Sequence, residues 1–489
     1  MTVENIEDYL QLDDAHSEVG SPEITWFSRV TVEGLHGRLD FSVNLNPNLN
    51  IIYGKNGRGK TTLLHILANL SELDFGRFNS LVFSRIEVQN NRGECVELRK
   101  SRDGTVSIYI DGLPTSYQSQ ENDISESEKS NIRKVLGDRP TYLPAFRSVL
   151  ERTRDTYYGG YEERKHPQFD RIVSQAAEGM RLPNGRDGIP AREIDLARSV
   201  ASKTIKCREW FGSFVPLIRY PSISDVIEGL AEEWRYAQLR ITKLEQRQFE
   251  EAFLDIFSAI AAGDVDEDVS NQQDILASIN DLLIKENPEK VGPTRNSTYD
   301  RLVEVAQRAG EADKRYNSLL EIYRRILSER KGIRETALKP LIEFESSVNK
   351  FLDEKKLRIG ARGEFNSQGS ARIRNSIVSV VSGLGTPYHL TALSSGERQI
   401  ATMLYSASRS SFTSGAFLID EPELSLHVDW QRIILSEIQQ QHPDRQIIAC
   451  THSPEVGAEH GGYVQFFEPT SHVSMDDREV LEIVDDEGL

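Results

Sequence analysis

Cysteine is scarce, long hydrophobic runs are missing and basic residues are outnumbered by acidic ones; each shortage argues against a class of protein. The three cysteines, Cys95, Cys207 and Cys450, stand far apart with no CxxC pair. A disulfide framework or cysteine-bound metal does not fit that spacing, and a reducing cytosol does. No apolar stretch is long enough to span a bilayer, which argues against a membrane subunit. The N-terminus lacks the basic and apolar regions of a signal peptide; residues 1–22 are acidic instead and read as a mobile tail. A formal charge of −18 repels nucleic-acid phosphate on average, so only a local basic groove would serve for DNA or RNA. At 489 residues the chain exceeds the usual single core, and two or three structural units are expected.

What is present is organised around Gly54-Lys55-Asn56-Gly57-Arg58-Gly59-Lys60-Thr61, which fits G-x-x-x-x-G-K-[ST] at every constrained position. The run ending in Ile51-Ile52-Tyr53 reads as a buried strand, and Leu63, Leu64, Ile66, Leu67 and Leu70 fall at helical spacing. A strand, a glycine-rich turn and a helix N-terminus make an anion cradle, because backbone N–H groups can point at phosphate oxygens where a Cβ would obstruct. The expected nucleotide-binding set is Gly54, Asn56, Gly57, Gly59, Lys60, Thr61 and Thr62. Lys60 would reach the β- and γ-phosphates of ATP, and the Thr61 hydroxyl would ligate Mg²⁺.

Around this loop, Ile24 to Val43 alternates as strands, and Leu81 to Val88, Cys95 to Leu98 and Val106 to Ile110 read as short antiparallel strands. Asp123 to Gly137 is polar and helical, and Thr141 to Leu143 is strand-like. The character changes after Phe146: Arg147, Arg152, Arg154, Arg164 and Lys165 interleave with Tyr157, Tyr158 and Tyr161. That stretch is either a solvated loop or a grip on nucleic acid or a partner. A flexible loop follows at Arg181 to Pro190. Two helical segments then carry three-four spacing, one through Ile227, Leu230, Trp234, Ala237, Ile241 and Leu244. The other runs through Leu302, Val305, Ala309, Ala312, Tyr316, Leu319, Tyr323 and Ile326. They form an antiparallel coiled coil with arms of about 40–50 Å, at 1.5 Å per residue, or a compact bundle. Pro340 is expected to break the second pattern before a further helix from Leu341 to Leu352. The organisation expected is 1–22 tail, 23–150 first lobe, 151–354 helical insertion and 355–489 second lobe.

The second lobe holds three more motifs. Ser394, Ser395, Gly396 and Glu397 in the run L-S-S-G-E-R-Q open a helix, a second anion site. The apolar strand Ala416 to Ile419 ends in Asp420-Glu421-Pro422-Glu423. Asp420 is suited to hold Mg²⁺ and Glu421 to polarise an attacking water. A further apolar strand, Ile447 to Cys450, delivers Thr451-His452-Ser453-Pro454.

In this order the motifs resemble those of ATP-binding-cassette ATPases of the SMC-like branch. The resemblance implies an α/β fold: a P-loop head, a mixed sheet flanked by helices, split by the helical coiled-coil insertion. It makes L-S-S-G-E-R-Q the signature that acts on a second chain's nucleotide, Leu424 to His427 the interface loop, and His452 the switch that senses the γ-phosphate, catalytic beside Glu421. A homodimer, or a higher even-numbered homo-oligomer with ATP sandwiched between heads, follows. No glutamine stands where the family's γ-phosphate-coupling loop would lie; Tyr142 to Arg147 occupies that region.

The strings E-P-E-L-S-L-H, T-H-S-P and Y-L-P-A-F-R narrow the resemblance to prokaryotic antiviral ATPases of the OLD, Septu and PARIS systems. That implies a cytoplasmic sensor with a nucleic-acid or phage-protein trigger, no membrane partner, and an effector nuclease of HNH or Toprim type encoded nearby. Fewer than about 40 residues follow His452, too few for a Toprim domain in this chain. A DNA-repair or chromosome-maintenance clamp is the competing expectation; the predicted helical tip has no CxxC hook.

Overall fold

The computed structural model describes residues 25–117, 124–147, 150, 165–178, 191–262, 272–286, 301, 303–304, 314–360, 377–383, 385, 387–408 and 415–471. The expectations for residues 1–22, for 151–164 of the basic and aromatic stretch, for 181–190, and for Leu302, Val305, Ala309 and Ala312 lie outside them. The chain divides into two compact units, Met1–Ile227 with Ser346–Leu357 and Val380–Leu489, and Glu228–Glu345 with Arg358–Ser379.

The first unit is an α/β P-loop fold with two main sheets. Strands β1 (Phe27–Leu35), β2 (Leu39–Asn44), β4 (Arg85–Asn90), β5 (Cys95–Lys100), β6 (Val106–Ile110) and β7 (Leu113–Pro114) pair antiparallel, with β15 (Thr470–Ser471) at one edge, in the order β15-β2-β1-β4-β5-β6-β7. Alternation sets the register: Val30 faces Val43 and Val88, and Val32 faces Phe41 and Ile86, with all six buried. The other sheet is parallel, in the order β14-β3-β13-β12-β8, from β3 (Leu49–Tyr53), β8 (Thr141–Leu143), β12 (Phe417–Asp420), β13 (Ile447–Thr451) and β14 (Val464–Phe466). Strands β3, β8, β12 and β13 are buried almost throughout, because both faces of the sheet are covered there. In register, Asp420 lies opposite Cys450 and Thr451 opposite Tyr53, so the ends of β3, β13 and β12 share one edge. Ligand sites on open parallel sheets form at such C-terminal edges. Three further strands form a separate small sheet in the order β11-β10-β9, from β9 (Lys355–Ile359), β10 (Val378–Ser382) and β11 (Pro387–Tyr388), with Val380 paired to Tyr388.

Helix α1 (Lys60–Ser71) follows the phosphate loop, and α2 (Glu126–Leu136) opens with a reciprocal Ser125–Glu128 cap. The first unit extends further than the lobe boundary at 150 expected from sequence. Helices α3 (Phe169–Glu178) and α4 (Ala191–Phe211) share a core of Ile172, Ala176, Ala197, Ala201 and Leu217. They are tied to the end of α1 by buried charges. Glu72 pairs with Arg219, and Asp74 with Arg77 and Arg208. Asn69 donates to the Phe214 carbonyl at 2.8 Å. Tyr220 shares a hydrogen bond with Thr402, on α8 (Ser395–Ser408).

Beneath α1, the His65 ring meets the Tyr142 hydroxyl at 2.8 Å, and burial pushes His65 down to about 3. A histidine held neutral in the folded state and free near its ordinary 6.5 when unfolded contributes stability that is intact above pH 6.5 and lost as pH falls toward 3. Between pH 7 and pH 5 the loss is about 2 kcal/mol. Unfolding free energies of wild type and His65→Phe at the two pH values should differ in their pH dependence by that amount; equal dependence would refute it.

In the second unit, α5 (Ile223–Ala262), of which Glu228 onward belongs here, and α7 (Lys314–Asn349) carry the ion pairs Arg325–Asp255 and Arg330–Glu245. Antiparallel pairing is thus present, and α6 (Gln272–Glu286) adds to it a shared core with α7 of Ile275, Ile279, Leu283, Leu320 and Leu327. Two expectations are corrected. The deeply buried line of α7 runs through Leu320 and Leu327, one residue past Leu319 and Ile326, because α6 as well as α5 claims a face. Pro340 lies inside a continuous α7 rather than ending it; burial of Leu341, Phe344 and Val348 beyond it offsets the missing N–H.

Candidate active site

The cradle is built by backbone conformation. Gly57 and Gly59 sit at φ +74° and +98°, where a side chain is strained, and Gly59 is the N-cap of α1. A Cβ on Gly54 would come within 2.9 Å of the Phe467 carbonyl. Lys60, 5% exposed, reaches back across the loop and donates to the Gly54 carbonyl at 2.6 Å and that of Lys55 at 3.1 Å. Its Nζ stands 3.9 Å from the Glu421 carboxylate. Asn56 is exposed at the loop tip and Thr62 half-buried.

The sheet edge brings residues far apart in sequence to this cradle. The Thr61 hydroxyl donates to Asp420 Oδ2 at 2.9 Å. Asp420 is 2% exposed, and its Oδ1 accepts no hydrogen bond. Burial raises its carboxyl to about 6, against the opposing Thr61 hydrogen bond and the Arg147 and Lys60 charges. A hydroxyl beside a buried, half-satisfied carboxylate is the hard-oxygen donor set that suits Mg²⁺, so the residues fit that ion.

Glu421 follows in the left-handed region at φ +48°. Burial, and then the neighbouring Glu423 carboxyl, lift it to about 7, against a hydrogen bond with His452. The His452 Nδ1 bonds directly to Glu421. Glu423, buried, accepts from Thr451 Oγ1 at 2.6 Å and from the backbone N–H of His452 and Ser453 at 3.1 and 3.0 Å. It locks the end of β13 to the turn after β12. Sequence reasoning gave Glu423 no role; its only signal was a second acid two residues past Glu421.

Arg147, grouped by sequence with the basic and aromatic stretch, requires a correction. It is fully buried, and its guanidinium donates to the carbonyls of Asp420, Glu421 and Pro422 at 2.9, 2.9 and 3.0 Å. Nothing local in the sequence distinguishes it from its basic neighbours.

At the signature-like segment, Ser394 and Ser395 are exposed at the start of α8. Glu397, expected to contact nucleotide, is instead turned back. It accepts the Ser394 N–H at 2.7 Å and takes Lys355 Nζ at 2.9 Å, while Ser394 Oγ caps its own N–H. That is a capping box, which occupies the carboxylate on its own helix. Gly396 packs so closely that a Cβ would lie 3.0 Å from the Ser425 carbonyl; Ser425 itself has φ +64°.

Two family models match the chain: "AAA domain" over residues 29–151 and "AAA domain, putative AbiEii toxin, Type IV TA system" over residues 228–458. A curated relative, the DNA replication and repair protein RecF of Stutzerimonas stutzeri (strain A1501), is 30% identical over 97 residues, 17% of this chain and 26% of the relative. The chain spans about a quarter of that relative's length. Similar solved structures include the Smc head domain with an extended coiled coil bound to the C-terminal domain of ScpA, from Pyrococcus furiosus. It shows 12% identity and a TM-score of 0.36, over 94% of this chain and 100% of that one. The Smc head domain with a coiled coil and joint from Pyrococcus yayanosii gives 11% and 0.40 over 94% and 100%. The recombination mediator protein RecF gives 13% and 0.29 over 89% and 94%. The phosphate loop lies within the first of these matched stretches, and the strand-end acids with His452 lie within the second.

Proposed function

We propose that this protein is an ATPase of the SMC/RecF-like ABC type, completing its site when two copies meet. The observation that carries the reading is the convergence of Lys60, Thr61, Asp420, Glu421 and His452 at one sheet edge from three separate segments. The glycine-lined turn and the N-terminus of α1 would hold the phosphates, with Lys60 exchanging its loop carbonyls for phosphate oxygens. Thr61 and Asp420 would hold Mg²⁺. That ion, when bound, neutralises phosphate charge.

The chain's own residues handle the proton. Glu421, with an affinity for protons near neutrality, accepts one from the attacking water as its oxygen bonds to the γ-phosphorus. The bond to the bridging oxygen breaks, releasing ADP and phosphate. His452 holds the Glu421 carboxylate in place. Ser394 and Ser395 are exposed at a helix N-terminus, and with the Gly396 backbone they would act on the nucleotide of a second copy.

The test is complementation. Lys60→Ala and Ser395→Ala should each be inactive in Mg²⁺-dependent phosphate release. A one-to-one mixture should regain up to about a quarter of wild-type rate, because half of random dimers hold one intact composite site of two. No recovery would reject the composite site.

For the role that hydrolysis serves, we infer a sensor subunit of an antiphage defence system that controls a separately encoded HNH or Toprim nuclease. The E-P-E-L-S-L-H, T-H-S-P and Y-L-P-A-F-R strings support it. The partial RecF match favours a second reading, a DNA-repair clamp. ATP-dependent, steeply salt-sensitive binding to duplex DNA without any nuclease partner would select the clamp. Copurification with a nuclease encoded nearby would select the sensor.

A further inference from the structure

We propose that Arg147 is a positioning residue for hydrolysis, gripping the backbone of the Asp420–Pro422 turn so that the Glu421 carboxylate is presented to its water. This rests on the ATPase reading above. Strand β8 lies beside β12 in parallel register, with Leu143 opposite Ile419. The chain leaving β8 through Pro144 therefore arrives next to the turn that leaves β12. Arg147 bends back into that turn. One guanidinium nitrogen donates to the carbonyls of Asp420 at 2.9 Å and Pro144 at 3.3 Å, the other to those of Glu421 and Pro422. The side chain is completely buried.

Burying a guanidinium is costly unless its donors are used, and packing alone would be met by an apolar side chain of similar volume. What the arginine adds is a planar fork that fixes three consecutive carbonyls at once, which a lysine's point charge does not reproduce. Those carbonyls belong to a stretch of the site that resists its own conformation. Glu421 is a non-glycine residue at φ +48°, a region that costs about 1 kcal/mol or more and persists only when its surroundings over-determine it. The Glu421 N–H is held by the Cys450 carbonyl at 2.8 Å, and Arg147 holds the carbonyl side. Glu421 is thereby fixed from both ends, with its carboxylate left to His452 and water.

Arg147→Lys keeps charge and most of the volume and loses the fork. Its kcat for ATP should fall about 10²-fold, the cost of a misplaced reacting group, with the Kd for a non-hydrolysable ATP analogue changed less than about threefold. Arg147→Met should fall at least as far. The readout that a general loss of packing would not move is coupling to Glu421. In single-turnover assays, Arg147→Lys added to Glu421→Gln should slow hydrolysis little beyond Glu421→Gln alone, because residues acting as a unit are not additive. Full kcat in Arg147→Lys, or losses that multiply in the double variant, would overturn the assignment while leaving the ATPase reading intact. Absence of any hydrolysis by the wild-type chain would instead overturn the ATPase reading, and this inference with it.

Discussion

Glu421→Gln is expected to bind ATP as well as wild type and to hydrolyse it about 10²–10⁴-fold more slowly, the range that a general base supplies. The substitution keeps the shape, the backbone at φ +48° and a hydrogen bond to His452, so alignment survives. What it removes is basicity. Burial and the adjacent Glu423 set Glu421 near 7, strong enough to take a proton from water and weak enough to return it. Trapped nucleotide, counted by filter retention after a single mixing with labelled ATP, should approach one per site and stay for many wild-type turnover times. Hydrolysis at the native rate would remove Glu421 from the mechanism.

The second large effect is Lys60→Ala. Lys60 is buried, and its ammonium group spans the loop between the Gly54 and Lys55 carbonyls while standing 3.9 Å from Glu421. Truncation removes the cation that would meet the β- and γ-phosphates and leaves both carbonyls without their donor. Losing one side of a buried charged pair costs about 2–5 kcal/mol, so ATP affinity should fall about 10²-fold or more. Equilibrium dialysis measures this directly, beside a thermal melt to show that the fold persists. A Kd within threefold of wild type, in a folded variant, would show that the glycine-rich turn is not the phosphate cradle.

Much of the parallel sheet was legible because its strands are local signals. Ile51-Ile52, Phe417 to Ile419 and Ile447 to Cys450 are short apolar runs ended by turn residues, and they form β3, β12 and β13. The proximity of Thr61 and Asp420 followed from motif order alone. Arg147 was not legible, since a buried arginine differs from an exposed one only by what the fold brings to it. Glu397 misled for a related reason: S-x-x-E describes a helix cap as well as part of an anion site, and the Lys355 contact that occupies it lies 42 positions away. In α7 the three-four pattern permitted two adjacent lines. Only the presence of α6 decides between Leu319–Ile326 and Leu320–Leu327.

The position of β3 bears on how this polypeptide is made. The strand that feeds the phosphate turn is completed by Tyr53, yet its sheet neighbours are β13, ending at Thr451, and β14, ending at Phe466. A ribosome must add some four hundred residues before either arrives. Throughout that interval an apolar strand with two open edges waits in the nascent chain, the kind of species that chaperones hold. The same delay means that unfinished polypeptides have no cradle to load, so nucleotide is met only by molecules whose last strands are in place.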